Sequence, residues 1–168
     1  LMLGGDGNDT INGEDGLDVI NGGNNDDSLI GGNDTDVLFG DAGNDRLTGD
    51  AGNDTLSGLN ATSSWQLSVN SNQYVSTNTL TFSAFENLNG GGGADTFVFN
   101  GNASVNGNVN GGAGTDTLDY SNYTNAVTVS FPTGTATGVS GTVGNMETVI
   151  ANALGITFVG DDNDNYIV

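Results

Sequence analysis

The chain has 168 residues, with 29 Gly, one Pro, no Cys and no His, and its 21 carboxylates face one basic residue for a formal net charge of −20. Such a surface repels nucleic acid and anionic membranes, and without imidazole or thiol the usual ligands of zinc, haem and iron–sulfur clusters and the usual nucleophile–base pairs are missing. A hard, oxygen-coordinated cation is the simplest partner left, and 35% hydrophobic content is thin for an ordinary two-layer core.

Residues 4–57 divide without remainder into six nonapeptides: GGDGNDTIN, GEDGLDVIN, GGNNDDSLI, GGNDTDVLF, GDAGNDRLT and GDAGNDTLS. The first position is always Gly (Gly4, Gly13, Gly22, Gly31, Gly40, Gly49) and the sixth always Asp (Asp9, Asp18, Asp27, Asp36, Asp45, Asp54). The eighth is always Ile or Leu. Residue types tolerating positive φ at the first and fourth positions predict a six-residue turn, and one apolar residue flanked by polar ones predicts a short strand with its centre pointing inward. A nine-residue unit cannot bury one Leu alone, but units stacked at about 4.8 Å can. The expected fold is all-β: a parallel β-solenoid with two short strands and two turns per 18-residue coil. Turns alternate between two edges, so each sixth-position Asp lies about 4.8 Å from the Asp 18 residues away. Like charges at that spacing repel unless a cation lies between them.

These units resemble the hemolysin-type calcium-binding (RTX) nonapeptide GGxGxDxUx, in which U is a large apolar residue. The resemblance implies a parallel β-roll with calcium between successive turns, held by the sixth-position carboxylates and by backbone carbonyls. Carried over, the carbonyls are those of Gly5, Gly7, Glu14, Gly16, Gly23, Asn25, Gly32, Asp34, Asp41, Gly43, Asp50 and Gly52. The implied pairs are Asp9/Asp27 and Asp27/Asp45 on one edge and Asp18/Asp36 and Asp36/Asp54 on the other. The chain departs from the pattern at the second position (Glu14, Asp41, Asp50) and the fourth (Asn25, Asp34).

Beyond Leu56 the period breaks and returns at 90–98, 111–119, 151–159 and 160–168. Inward residues Leu88, Phe97, Val109, Leu118, Val149, Phe158 and Ile167 continue the solenoid, which predicts one domain: a regular roll over 1–57, a hairpin insertion at 58–86, more roll at 87–119, a second hairpin at 120–146 and a degenerate end at 147–168. If each insertion replaces one turn, Asp95 and Asp116 join the edge of Asp54, giving sites Asp54/Asp95 and Asp95/Asp116 and about six Ca2+ ions in all. The two hairpins then fall on the opposite edge. Phe85-Glu86-Asn87-Leu88 and Met146-Glu147-Thr148-Val149 are similar strands 61 residues apart. Trp65, Tyr74, Tyr120 and Tyr123 are expected to cover a small core under each hairpin rather than to form a sugar-stacking patch.

The acids lie in repeating turns, not around a cleft, so no enzyme is expected within this segment. With 13 acids against Arg46 alone, residues 1–57 fall in the disordered regime without metal. The sequence thus predicts a calcium-stabilised, extracellular or cell-surface structural or adhesive segment of a secreted bacterial protein. The RTX resemblance adds folding on calcium after type I export. The alternative is a calcium-binding secretion module of an extracellular protease or lipase. Expected partners besides calcium are a neighbouring coil, through head-to-tail self-association or continuation of the array, and a cell-surface or glycan partner at the hairpin edge. No nucleic acid and no membrane insertion are expected.

Overall fold

The computed structural model describes Leu1–Val168, all as strands, turns and loops. Seven strands form the first sheet: β1 (Met2–Asp6), β3 (Val19–Asn24), β5 (Val37–Ala42), β7 (Thr55–Ser57), β11 (Asn87–Asn89), β13 (Val109–Asn110) and β17 (Val143–Gly144). The second has ten: β2 (Thr10–Asn12), β4 (Ser28–Asn33), β6 (Arg46–Ala51), β10 (Thr79–Ser83), β9 (Asn72–Val75), β8 (Ser63–Leu67), β12 (Asp95–Phe99), β14 (Thr117–Asp119), β18 (Thr148–Ile150) and β20 (Tyr166–Ile167), in that spatial order. The chain alternates between sheets every nine residues through the repeats, which is the parallel β-roll.

Register follows the repeat. Met2, Ile20, Leu38 and Leu56 are in line in the first sheet, and Ile11, Leu29 and Leu47 in the second. Ile20, Leu29, Leu38 and Leu56 are fully buried. At about 1.5–3 kcal/mol per fully buried aliphatic side chain, this single file is the main apolar contribution of the repeat region.

Two sequence expectations are corrected beyond Leu56. The segment 58–86 is not an edge hairpin. Residues 58–66 (GLNATSSWQ) are a seventh unit, with Gly58 first, Ser63 in place of Asp and Trp65 in place of Leu, and Trp65 pairs in register with Phe97. Strands β9 and β10 then double back within the second sheet, β10 running parallel to β6 and β9 antiparallel to both β8 and β10. In the first sheet β7 pairs directly with β11. Two extra strands on one side of a two-sheet stack open a wedge, which aromatic rings fill. Trp65 lies 4.7 Å from Tyr74, 5.8 Å from Phe82 and 5.3 Å from Phe97, ring centre to ring centre.

Because Trp65 and Phe82 both belong to the second sheet, Leu88 falls in the first and Phe97 in the second. The phase across 58–86 therefore differs by one turn from the sequence expectation. The second insertion slips in the same way. Val143 is not a return strand of a hairpin but the solenoid strand β17, pairing with Val109, and this puts Val149 in the second sheet. The small hairpin is β15 (Val127–Ser130) with β16 (Thr135–Ala136). It forms a third sheet with β19 (Ile156–Val159), so Phe158 is not a solenoid residue but packs edge-on against Phe131 at 5.2 Å. Trp65, Tyr74 and Tyr120 are buried, and Tyr123 packs on the same core.

Candidate metal centres along the two edges

Each sixth-position Asp ends a turn immediately before a strand, and its backbone and side chain face different coils. Its N–H donates to Oδ1 of the Asp 18 residues later: Asp9 to Asp27 and Asp18 to Asp36 at 2.8 Å, Asp27 to Asp45 at 2.9 Å, Asp36 to Asp54 at 2.8 Å. The other oxygen has no partner. Oδ2 of Asp9, Asp27, Asp36, Asp45, Asp54, Asp95 and Asp116 is buried without a hydrogen-bond donor.

The invariant first-position Gly is explained by crowding, not by φ. A Cβ at Gly31 would stand 2.6 Å from Asp36 Oδ2 and 2.7 Å from the carbonyl oxygen of Gly49. The same pair of oxygens, the Asp Oδ2 and the carbonyl stacked one coil on, crowds Gly4, Gly13 and Gly22. Positive φ occurs at the second position instead, at Gly5, Glu14, Gly23, Gly32, Asp41 and Asp50, and at the fourth in Gly7, Gly16, Asn25 and Asp34. Gly43 and Gly52 stand at the fourth position because their Cβ atoms would overlap the stacked carbonyls of Asn25 and Asp34. Of the second-position carbonyls proposed as ligands, that of Glu14 already accepts the N–H of Asn33 at 2.6 Å. The first-position carbonyl, beside the free Oδ2, was not in the expected set.

The phase slip redistributes the acids. Asp95 opens β12, Asp116 precedes β14, and both lie on the edge of Asp9, Asp27 and Asp45, not that of Asp54. They are adjacent, the N–H of Asp95 donating to Asp116 Oδ1 at 2.8 Å. Asp54 and Asp95 are not brought together. Asp54 stacks on Glu86, whose Oε2 accepts its N–H at 3.0 Å, and Asp95 stacks on Ser63, whose hydroxyl donates to its Oδ1. Glu147 follows Asp116 in the same way, Oε2 to N–H at 2.8 Å. Glu86 and Glu147 were missed in sequence, although each stands two residues before an inward apolar residue, Leu88 and Val149, as every repeat Asp does. After Asp45 comes Leu80, whose side chain covers Gly40 next to Asp45 Oδ2, and this ends the ladder begun at Asp9.

Stacking carboxylates away from water raises their proton affinity. Burial, then the charge of Asp27, Asp26 and Asp41, pushes Asp45 up to about 6 against the lowering effect of its backbone hydrogen bond. Burial pushes Asp95 up to about 6 as well, and Asp54 and Asp116 are raised from the same first cause, with Glu86 and Glu147 adding repulsion. Without metal the folded chain therefore binds more protons than the unfolded chain between about pH 4 and pH 6, so its stability is greatest in acid and is lost as pH rises through that window. In chelator, the folded fraction by circular dichroism is expected to be larger at about pH 5 than at about pH 7.5. A folded fraction that grows with pH in chelator would contradict the buried ladder.

Cations reverse this balance. Paired Asp oxygens lacking donors, next to backbone carbonyls and with no nitrogen or sulfur ligand, suit calcium and not a transition metal. Where such a set is filled, the ion supplies the positive charge that lets neighbouring carboxylates stay ionised out of water. The fold is a parallel β-roll whose turns line up oxygens suited to a hard metal ion. The RTX calcium-binding nonapeptide repeat matches residues 3–38 and 30–60, with four copies. Residues 3–60 are thus RTX calcium-binding repeats, a type typical of secreted proteins. No curated protein matches the chain.

Proposed function

We propose that the chain is a non-catalytic, calcium-stabilised structural segment of an extracellular protein, folding when it meets calcium after export. The carrying observation is the file of buried Asp Oδ2 atoms without donors, in register along both edges. Asp9/Asp27, Asp27/Asp45, Asp18/Asp36, Asp36/Asp54 and Asp95/Asp116 provide five Asp–Asp gaps. Five divalent ions would change the net charge from −20 to −20 + 10 = −10.

The unfolded chain has no such gaps, so ion binding adds directly to folding free energy. At low cytosolic calcium the acids of residues 1–57 keep that region extended, and at extracellular calcium it closes coil by coil. A structural duty is supported by the in-register stack of coils, which a further coil, from this protein or a neighbour, would extend by the same pairing. No helix is long and apolar enough to cross a membrane.

The test is circular dichroism at neutral pH during calcium titration and then chelation. The β signal is expected to grow with calcium and to be lost with chelator. An unchanged β spectrum after chelation sinks the proposal.

A further inference from the structure

Two turns outside the nonapeptide array share a construction of their own. Between β10 and β11 the chain crosses from one sheet to the other through Ala84-Phe85-Glu86, and between β17 and β18 through Asn145-Met146-Glu147. The inward residues on either side, Phe82 and Leu88, or Val143 and Val149, are six residues apart instead of nine. In both turns the first residue is a non-glycine at φ 53°, and the middle one is apolar and packs on the core. The last is Glu where a repeat has Asp.

We propose that these shortened turns are two further calcium sites, one made by Asp54, Ala84 and Glu86, the other by Asp116, Asn145 and Glu147. The inference rests on the calcium reading of the repeats. In a regular gap the oxygens that converge are an Asp Oδ2 and the carbonyl stacked over the first Gly of its own turn. At Gly49 that pair is Asp54 Oδ2, 2.7 Å from the position of a Cβ, and the carbonyl of Ala84; at Gly111 it is Asp116 Oδ2, at 2.5 Å, and the carbonyl of Asn145.

Asp54 and Asp116 are 0% and 1% exposed, and neither Oδ2 has a donor. No N–H of the protein donates to the carbonyl of Ala84 or of Asn145. The left-handed φ at the first residue brings that carbonyl over the Gly within a turn of only three residues. Glu86 and Glu147 stand in register with Asp54 and Asp116, and a carboxylate oxygen of each receives the N–H of that Asp. No N–H or O–H of the protein reaches the other oxygen of either glutamate, so a second carboxylate stands beside each Asp whose Oδ2 lacks a donor. Oxygen-only surroundings with two carboxylates select a hard divalent cation.

The test is anomalous scattering from wild-type crystals grown in calcium, together with ion counts by mass spectrometry on dialysed protein. Density peaks are expected at the two Glu turns as well as at the Asp–Asp gaps. Peaks at the Asp–Asp gaps alone overturn this inference and leave the proposed function standing; no peaks at all overturn the proposed function. The double substitution Glu86→Gln with Glu147→Gln keeps an oxygen to accept each N–H and removes the charge. It is expected to bind two fewer ions than wild type, and an unchanged count overturns the sites. Should the double variant not fold, the wild-type peaks decide alone.

Discussion

Replacing Gly31 by Ala is expected to remove one calcium site and destabilise the roll together. The added Cβ would stand 2.6 Å from Asp36 Oδ2 and 2.7 Å from the Gly49 carbonyl, both far inside van der Waals contact. Neither atom is the tip of a flexible chain: one belongs to a carboxylate packed out of water, the other to backbone held in the ladder of β4 and β6. Either the carboxylate swings out or the two coils part. Overpacking of this kind costs about 1–3 kcal/mol, and displacing the oxygens that converge on the gap adds the lost binding energy of an ion. Gly101→Ala, outside every proposed site, is the control. It has open space around its Cβ but φ of 62°, so it carries only backbone strain of about 1–2 kcal/mol. Calcium titration by calorimetry should show fewer ions bound by Gly31→Ala and the wild-type number bound by Gly101→Ala. Equal stoichiometry in the two variants would refute the crowding explanation of the invariant glycine.

The second large effect is expected at Trp65. It is the only Trp in the chain, is fully buried, and touches three other rings across the wedge. Trp65→Ala leaves a cavity that four strands of fixed spacing cannot close, at a cost of about 3–5 kcal/mol. Trp65→Phe should be far milder, because the indole N–H finds no acceptor in its buried position and removing it offsets part of the lost packing. Denaturant melts in saturating calcium would measure both. A Phe variant as unstable as the Ala variant would show that the indole N–H does have a partner.

The repeat region was legible from its columns because every column has one physical cause: crowding at Gly, a stacked carboxylate at Asp, a narrow core at Ile or Leu. Legibility failed where a column kept its position but changed its residue. Ser63 and Trp65 hold the sixth and eighth places of a seventh unit, but a hydroxyl and an indole do not look like Asp and Leu. They belong together physically, since a wider core needs a larger side chain and the place facing Asp95 Oδ1 needs only a donor. The slip at 58–86 then put Asp95 beside Asp54 in the expectation, when the neighbour is Glu86. Val143 was lost for a similar reason. The strand β17 is two residues long, and a lone Val between Gly141 and Gly144 carries no period of its own.

The strands β8 to β10 also divide the acids of one edge into separate electrostatic units. Between β6 and β12 the second sheet makes four strand-to-strand steps, roughly 19 Å at about 4.8 Å each, which exceeds the screening length of about 8 Å in physiological salt. Ions loading at Asp9–Asp45 are therefore not felt at Asp95–Asp116 along that side, whereas the opposite side passes from Asp54 straight to Glu86. That rail carries no acid before its next strands, β13 and β17, so saturation should proceed as two separate blocks instead of one all-or-none event.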